Sequence, residues 1–374
     1  MMQKTYSLFS IILITCVACA QQTQSEINVE EPTNLKYTTE LVVPDLTIPW
    51  GMTFLPDGSM LITEKSGELI HFKDGTKTNI DGVPEIYQRG QGGFLDIKTH
   101  PDYENNGWIY ITYSSAEGEG DGGNTALARA KLSGNTLIDF EPLYKAELNT
   151  KKGQHWGSRI EFDDAGYLYF SIGDRGNRDV NPQDITRDMG KIYRLNDDGS
   201  IPESNPFVGT KNAKTAIYSY GHRNPQGMAK NPFTGAIWVN EHGPKGGDEI
   251  NIIQKGKNFG WPVISYGINY SGTPFTDITE KEGMEQPLFY WVPSIAPSGM
   301  AIVSSEKYPN WKGNVLVGSL KFQYLERLII ENEKVIKREK LFEDIGRVRN
   351  VVQAPDGYIY IAIEGKGIYK IVSK

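Results

Sequence analysis

The sequence predicts an all-β fold: a six-bladed β-propeller built of four-stranded antiparallel blades. Three observations predict it. First, one phrase recurs six times: an apolar strand, a turn ending in glycine, then an alternating strand. It reads GMTFLPDGSMLIT around Gly58, LDIKTHPDYENNGWIYIT around Gly107, RIEFDDAGYLYFS around Gly166 and GMAKNPFTGAIWVN around Gly235. The last two copies are GMAIVSSEKYPNWKGNVLVG around Gly313 and NVVQAPDGYIYIA around Gly357. Second, successive turn glycines lie 49, 59, 69, 78 and 44 residues apart, which leaves room for four short strands per unit. Third, alternation of period two, as in YLYFS (167–171) and YIYIA (358–362), marks half-buried strands. The 40 glycines and 20 tyrosines suit such a strand-and-turn chain.

In chain order, residues 1–20 read as a targeting segment. Lys4 supplies a basic start and Leu8 to Val17 an apolar run too short to span a bilayer. Two processing sites overlap. Ala18-Cys19-Ala20 fits a signal peptidase that frees Gln21, and Cys16-Val17-Ala18-Cys19 resembles a bacterial lipobox that leaves a lipidated Cys19. Residues 21–36 read as a polar linker, and their tether-like composition favours the lipoprotein. Either route exports the chain, to the periplasm or to a membrane-anchored position. Both cysteines fall in this segment, so the domain at 37–374 is expected to have no disulfide and no thiolate chemistry. That domain of about 340 residues is long enough for one large all-β ring. The sixth repeat is one strand short, and Lys36 to Val43 (KYTTELVV) is expected to complete it and close the ring. A seven-bladed ring and a two-sheet sandwich are the alternatives to six blades.

A propeller brings the starts of its innermost strands to one face. His155 stands before the third copy, Gln91 before the second, Arg223-Asn224 before the fourth, and Arg347 and Arg349 at the sixth. Asp174 closes the strand next to that of His155. Arg223, Arg347, Arg349 and Lys321 would gather cations at one mouth of an acidic chain, 46 Asp+Glu against 39 Lys+Arg. Such a cluster suits a multiply anionic ligand or else pairs with nearby acids. No Lys/Arg-rich run is present, so nucleic acid is not an expected partner. HExxH, GxxxxGK[ST] and GxSxG are absent. GEGDGGN (118–124) reads as a loop, because no helical pattern follows it. The stretch Asn240 to Pro262 offers free carbonyls at Gly243-Pro244 and carboxylates at Asp248 and Glu249, hard oxygen donors of the kind Ca²⁺ takes.

Taken in order, GQGGFLDIKTHP, GQHWGSRIEFDDAGYLYFSIGDRG, GHRNPQGM, NEHGPKGGDEINIIQKGKNFGWP, PSIAPSGMAI, GSLK and GRVRNVVQAPDG resemble the soluble quinoprotein sugar dehydrogenases. These are glucose/sorbosone dehydrogenases that use pyrroloquinoline quinone (PQQ). The resemblance covers residues 37 to 374 and implies a six-bladed propeller with PQQ and Ca²⁺ at one channel mouth. It implies His155 as catalytic base, Asp174 as the acid that orients it, and Arg223 and Asn224 as contacts to the quinone oxygens. Gln91, Lys321, Arg347, Arg349 and Tyr266 follow as cofactor contacts. The carbonyls of Gly243 and Pro244 follow as ligands of the Ca²⁺ beside PQQ. Glu249 and the carbonyl of Phe259 follow as ligands of a second, structural Ca²⁺. The chain departs from the family pattern at Gly157-Ser158, where two glycines are common, and at Phe259, where a tyrosine is common.

The implied activity is oxidation of an aldose at C1 to the aldonolactone, with electrons passed to an external acceptor. Two other readings compete: a Ca²⁺-dependent propeller lactonase, which needs metal carboxylates but no cation cluster, and a non-catalytic sugar-binding propeller, which needs neither His155 nor PQQ.

Overall fold

A computed structural model describes residues 27–374; the targeting segment and the start of the linker lie outside the described residues. Six four-stranded antiparallel sheets form the ring. Their first strands are Pro49–Phe54, Phe94–Thr99, Ile160–Phe162, Pro225–Lys230, Pro297–Ile302 and Val348–Gln353, and each touches the next around a closed circle. We number the blades one to six in that order. All six repeat glycines adopt left-handed backbone, with φ between 70° at Gly107 and 83° at Gly58 and Gly166. A side chain is strained there, which is why glycine recurs at this point of the phrase.

Each blade is covered on both faces by its neighbours. Its second strand is therefore buried almost throughout, and in blade six, Ile359–Ile363 (IYIAI), it reads as a continuous apolar run. Six core clusters lie one per blade interface, and a seventh, small one joins Trp50, Leu95 and Trp156 from three blades. Between blades five and six, for example, Val303, Trp311 and Leu325 pack on Val348, Ile361 and Ile371. Full burial of one such aliphatic side chain contributes roughly 1.5–3 kcal/mol.

Blade six is assembled from both parts of the chain. Tyr37–Pro44 pairs antiparallel with Gly367–Ser373, the place expected for residues 36–43. The described part of the expected linker is docked rather than loose. Val29–Glu30 pairs in parallel with the edge strand Lys334–Leu341 of blade five, and Arg338 Nη1 donates to the Ile27 carbonyl at 2.9 Å. Among the described residues no helix is long and apolar enough to cross a membrane.

Arg159 closes the middle of the channel. From blade three it donates to the carbonyls of Gln226 (2.7 Å), Trp50 (3.1 Å) and Arg349 (2.9 Å) and to Asp96 Oδ1 (3.1 Å). It thus ties five blades together. A cavity of about 320 Å³ lies on one side of it, lined by the middles of the innermost strands. The strand starts, with His155, Gln91, Asp174, Arg223, Arg347 and Arg349, gather at the other mouth.

Candidate active site

The segment that carries His155 links the last strand of blade two to the first of blade three. It is forced into an arch, with φ of 56° at His155, 65° at Gly157 and 87° at Ser158. Several groups hold the arch. His155 N–H donates to Gln91 Oε1 at 2.8 Å, and Gly157 N–H to Asn224 Oδ1 at 3.2 Å. The Arg175 guanidinium lies 3.4 Å from the Trp156 ring centroid and donates to the carbonyls of Lys152 and Gln154. Gly173 is required opposite, since a Cβ there would run into the His155 carbonyl.

Asp174 follows the buried strand Leu168–Ile172 and meets the arch. His155 Nδ1 lies 2.6 Å from Asp174 Oδ1. The same oxygen accepts from Gly176 N–H at 2.6 Å, and Oδ2 accepts from Trp261 Nε1 at 2.9 Å. Burial pushes the Asp174 carboxyl up, but the His155 hydrogen bond, with the Arg223 charge and the Gly176 amide, holds it below its ordinary range. Burial is also the larger influence on His155 and leaves it below the usual imidazole range, although Asp174 works against the shift. The resulting state is a neutral ring beside a carboxylate. Nδ1 then carries the proton, and Nε2, which has no partner among the described residues, is left as a basic lone pair.

The mouth has two lobes joined at Gln91. The first, about 630 Å³, is lined by His155, Asp174, Arg223, Pro244, Trp261 and Tyr270, among others. The second, about 260 Å³, is lined by Lys65, Trp156, His242, Arg347, Arg349 and Glu364, among others. In the first lobe Arg223 Nη1 donates to the carbonyls of His242 (3.0 Å) and Gly243 (2.6 Å), and its backbone N–H to Glu241 Oε2 at 2.6 Å. Among the described residues the buried Asn224 Nδ2 has no partner, and Asn224 itself lines neither lobe. In the second lobe Glu364 holds both arginines. It accepts from Arg347 Nε at 2.6 Å and Arg349 Nε at 2.8 Å.

Two further expected contacts line neither lobe. Tyr266 lines neither lobe; it stacks on Tyr290 at 3.7 Å and donates to Gln286 at 2.7 Å. Its neighbour Tyr270 reaches the rim instead. Lys321 is exposed over Phe322 and lines neither lobe. Four residues that sequence reasoning missed do line the mouth: Lys65, His242, Trp261 and Glu364. His242 was within a quoted motif. It is driven down to about 3 by burial and the nearby Arg223 charge, and its Nε2 lies 2.6 Å from the Pro297 carbonyl.

Among the described residues no group of three or more His, Cys, Asp or Glu side chains could hold a metal. The oxygen donors are mixed. Glu241, Glu249 and Phe259 line one small cavity, and the Asn251 amide donates to both carboxylates, at 3.2 and 3.1 Å. Burial first, then the neighbouring Glu241, pushes Glu249 up. At the turn, Gly243 N–H is fixed by Asp248 at 2.7 Å, and the Gly243 carbonyl already accepts from Arg223, leaving it one lone pair.

Fold and mouth together define a propeller enzyme with an acid-oriented neutral histidine beside a cation-bearing lobe. The model of the Glucose / Sorbosone dehydrogenase family matches residues 46–370, and the chain belongs to that family of oxidoreductases. It is 42% identical over 330 residues to aldose sugar dehydrogenase YliI of Escherichia coli (strain K12), covering 86% of this chain and 88% of that protein. The crystal structure of the soluble aldose sugar dehydrogenase of E. coli in its apo form superposes with a TM-score of 0.87 at 39% identity, over 90% of this chain and 100% of the other. The PQQ-bound aldose sugar dehydrogenase of Streptomyces coelicolor gives 0.73 at 26% identity, over 91% and 99%.

Proposed function

We propose that this protein oxidises aldoses at C1 to aldonolactones, with PQQ and Ca²⁺ as cofactors. The observation that carries the reading is the free Nε2 of a neutral His155, fixed by Asp174, one lobe away from Arg347 and Arg349. A lactonase needs no such cation lobe, and a sugar-binding propeller needs no oriented histidine.

The residues fit the cofactor. Asn224 Nδ2, next in sequence to Arg223, is a buried donor with no partner among the described residues, the kind of group a quinone oxygen would satisfy. Arg347, Arg349 and Lys65 suit its carboxylates, and Gln91 bridges the two lobes. The cavity with Glu241 and Glu249 suits a structural Ca²⁺: Glu241 already meets His222 Nδ1 at 2.8 Å, whereas among the described residues the buried Glu249 carboxylate meets only the Asn251 amide. The Gly243-Pro244 turn offers carbonyl oxygen for the Ca²⁺ beside PQQ.

PQQ when bound supplies a two-electron acceptor for the C1 hydrogen, and Ca²⁺ polarises it. The chain supplies the proton chemistry. His155 Nε2 takes the proton of the C1 hydroxyl, and Asp174 stabilises the imidazolium through Nδ1–H without itself taking the proton. Trp261 and Gly176 keep the carboxylate in place. Arg223 sets a fixed positive charge at the same lobe, where negative charge develops. An external electron acceptor regenerates the enzyme.

The proposed setting is outside the cytoplasm, with a lipid anchor on Cys19 or release at Gln21. Addition of PQQ and Ca²⁺ to the purified apo-protein is expected to restore sugar-dependent dye reduction. Full activity after exhaustive removal of PQQ overturns the reading.

A further inference from the structure

The second lobe has a charge arrangement that cofactor contacts alone do not explain. Glu364 follows the strand Ile359–Ile363 of blade six, and its side chain is only 13% exposed. Oε2 takes Arg347 Nε, and Oε1 takes both Nε and Nη2 of Arg349. The Glu364 backbone N–H returns to the Arg347 carbonyl at 3.0 Å, so acid and arginine are locked at both ends. Burial raises this carboxyl, but Arg349 and Arg347 outweigh it and keep it ionised. Lys65 lines the same lobe; burial first, then the Arg349 charge, pulls its ammonium down. The lobe therefore holds three cationic side chains and one carboxylate that already occupies two of them.

We propose that Glu364 is a positioning residue that acts as a built-in competing anion: it fixes the two guanidinium planes and limits how tightly the lobe holds an incoming polycarboxylate. The proposal rests on the reading that this lobe receives the carboxylates of PQQ. A guanidinium makes its strongest contacts in forked pairs with carboxylates, and here part of that fork is spent internally. Charges in a partly enclosed lobe are poorly screened, so removal of one negative charge strengthens attraction for every anion that enters. The cofactor is then held reversibly by design of the lobe.

Glu364→Gln keeps the shape of the side chain and one acceptor oxygen for Arg349 but removes the charge. Glu364→Asp keeps the charge on a shorter stem. The assay is a PQQ titration followed by quenching of tryptophan fluorescence, with Trp50 and Trp156 in the lobe wall as reporters. It is run on the full chain at low and high salt, with citrate as a second polycarboxylate probe followed by thermal protection. Glu364→Gln is expected to lower the Kd for PQQ at least tenfold at low salt and to steepen its salt dependence. Glu364→Asp is expected to keep the parental salt dependence. A purely structural role would weaken binding in both variants and leave the salt dependence alone. Unchanged or weaker PQQ binding by Glu364→Gln overturns the proposal. If the parent protein does not bind PQQ, the functional reading falls, and citrate decides: greater protection of Glu364→Gln than of the parent upholds the competing-anion role, and equal or lesser protection overturns it.

Discussion

Replacing Asp174 with asparagine tests the oriented histidine most sharply, because the carboxylate is surrounded by donors only. Oδ1 accepts from His155 Nδ1 and Gly176 N–H, and Oδ2 accepts from Trp261 Nε1. An amide has one oxygen to offer. With the oxygen in the Oδ1 position, the NH₂ group faces the Trp261 N–H. With the oxygen in the Oδ2 position, the NH₂ group faces Gly176 N–H and forces His155 Nδ1 to accept, which moves the ring proton to Nε2 and disables the base. Either orientation buries a donor against a donor, at a cost of about 1–3 kcal/mol. Loss of charge support for the imidazolium, with the wrong tautomer, is known to lower kcat by about 10⁴ in serine protease triads, and a fall of about 10²- to 10⁴-fold is expected here. The pH profile gives an independent sign. The neutral ring is the working form, so the rate is lost as pH falls through the His155 pKa, which burial already holds below the ordinary value. Asp174→Asn removes an interaction that raises that pKa, so the acid limb moves to lower pH while the plateau drops. The measurement is single-turnover dye reduction at saturating PQQ and sugar between pH 4 and 9, about two units either side of an ordinary imidazole. A plateau within threefold of the parent, or an acid limb displaced upward, refutes the assignment.

Four further outcomes are expected. His155→Ala lowers sugar oxidation by about 10²- to 10⁴-fold while PQQ titration shows near-parental affinity. Trp261→Phe keeps the ring but removes one donor to Asp174; it lowers turnover several-fold, corresponding to about 1 kcal/mol, with sugar KM little changed, as steady-state kinetics will show. Arg159→Met leaves Asp96 buried and unpaired and strips donors from three carbonyls, so chemical denaturation is expected to register a loss of about 3–5 kcal/mol. A calcium chelator is expected to lower Tm in calorimetry, with recovery on Ca²⁺ addition, because the buried Glu249 is then left beside Glu241 with only the Asn251 amide among the described residues; an unchanged Tm argues against the structural site.

The sequence made some features legible and hid others for physical reasons. The six turn glycines were readable because a left-handed turn between two strands is a local demand. His155 and Asp174 were readable because strand starts and strand ends of one blade meet at one face. Trp261 lies 87 positions from Asp174, so their hydrogen bond depends on how two blades pack and leaves no local trace. Glu364 was hidden for the same reason: a glutamate after an apolar strand looks like any solvated turn residue until the arginines of the neighbouring strand are placed beside it. Lys321 and Tyr266 were nominated by motif order, which fixes the loop they belong to but not the direction their side chains take. Tyr266 is turned by its stacking on Tyr290, and Lys321 by the exposed corner that holds Phe322.

The clasp in blade six has a consequence for how the ring is made. Tyr37 pairs with Ser373 and Pro44 with Gly367, so the earliest blade strand off the ribosome waits for nearly the last one. At synthesis rates of about 5–20 residues per second, that wait is tens of seconds. Blades one to five can stack in order as they emerge, but the face of blade one that meets blade six, with Leu46, Met52 and Ile62, stays uncovered until the end. During that interval the nascent chain displays both an unpaired strand and an apolar sheet face, the two features most prone to pair with the wrong partner. Truncation behind Gly357 is therefore expected to cost far more than the few residues removed, since it leaves a ring that cannot shut.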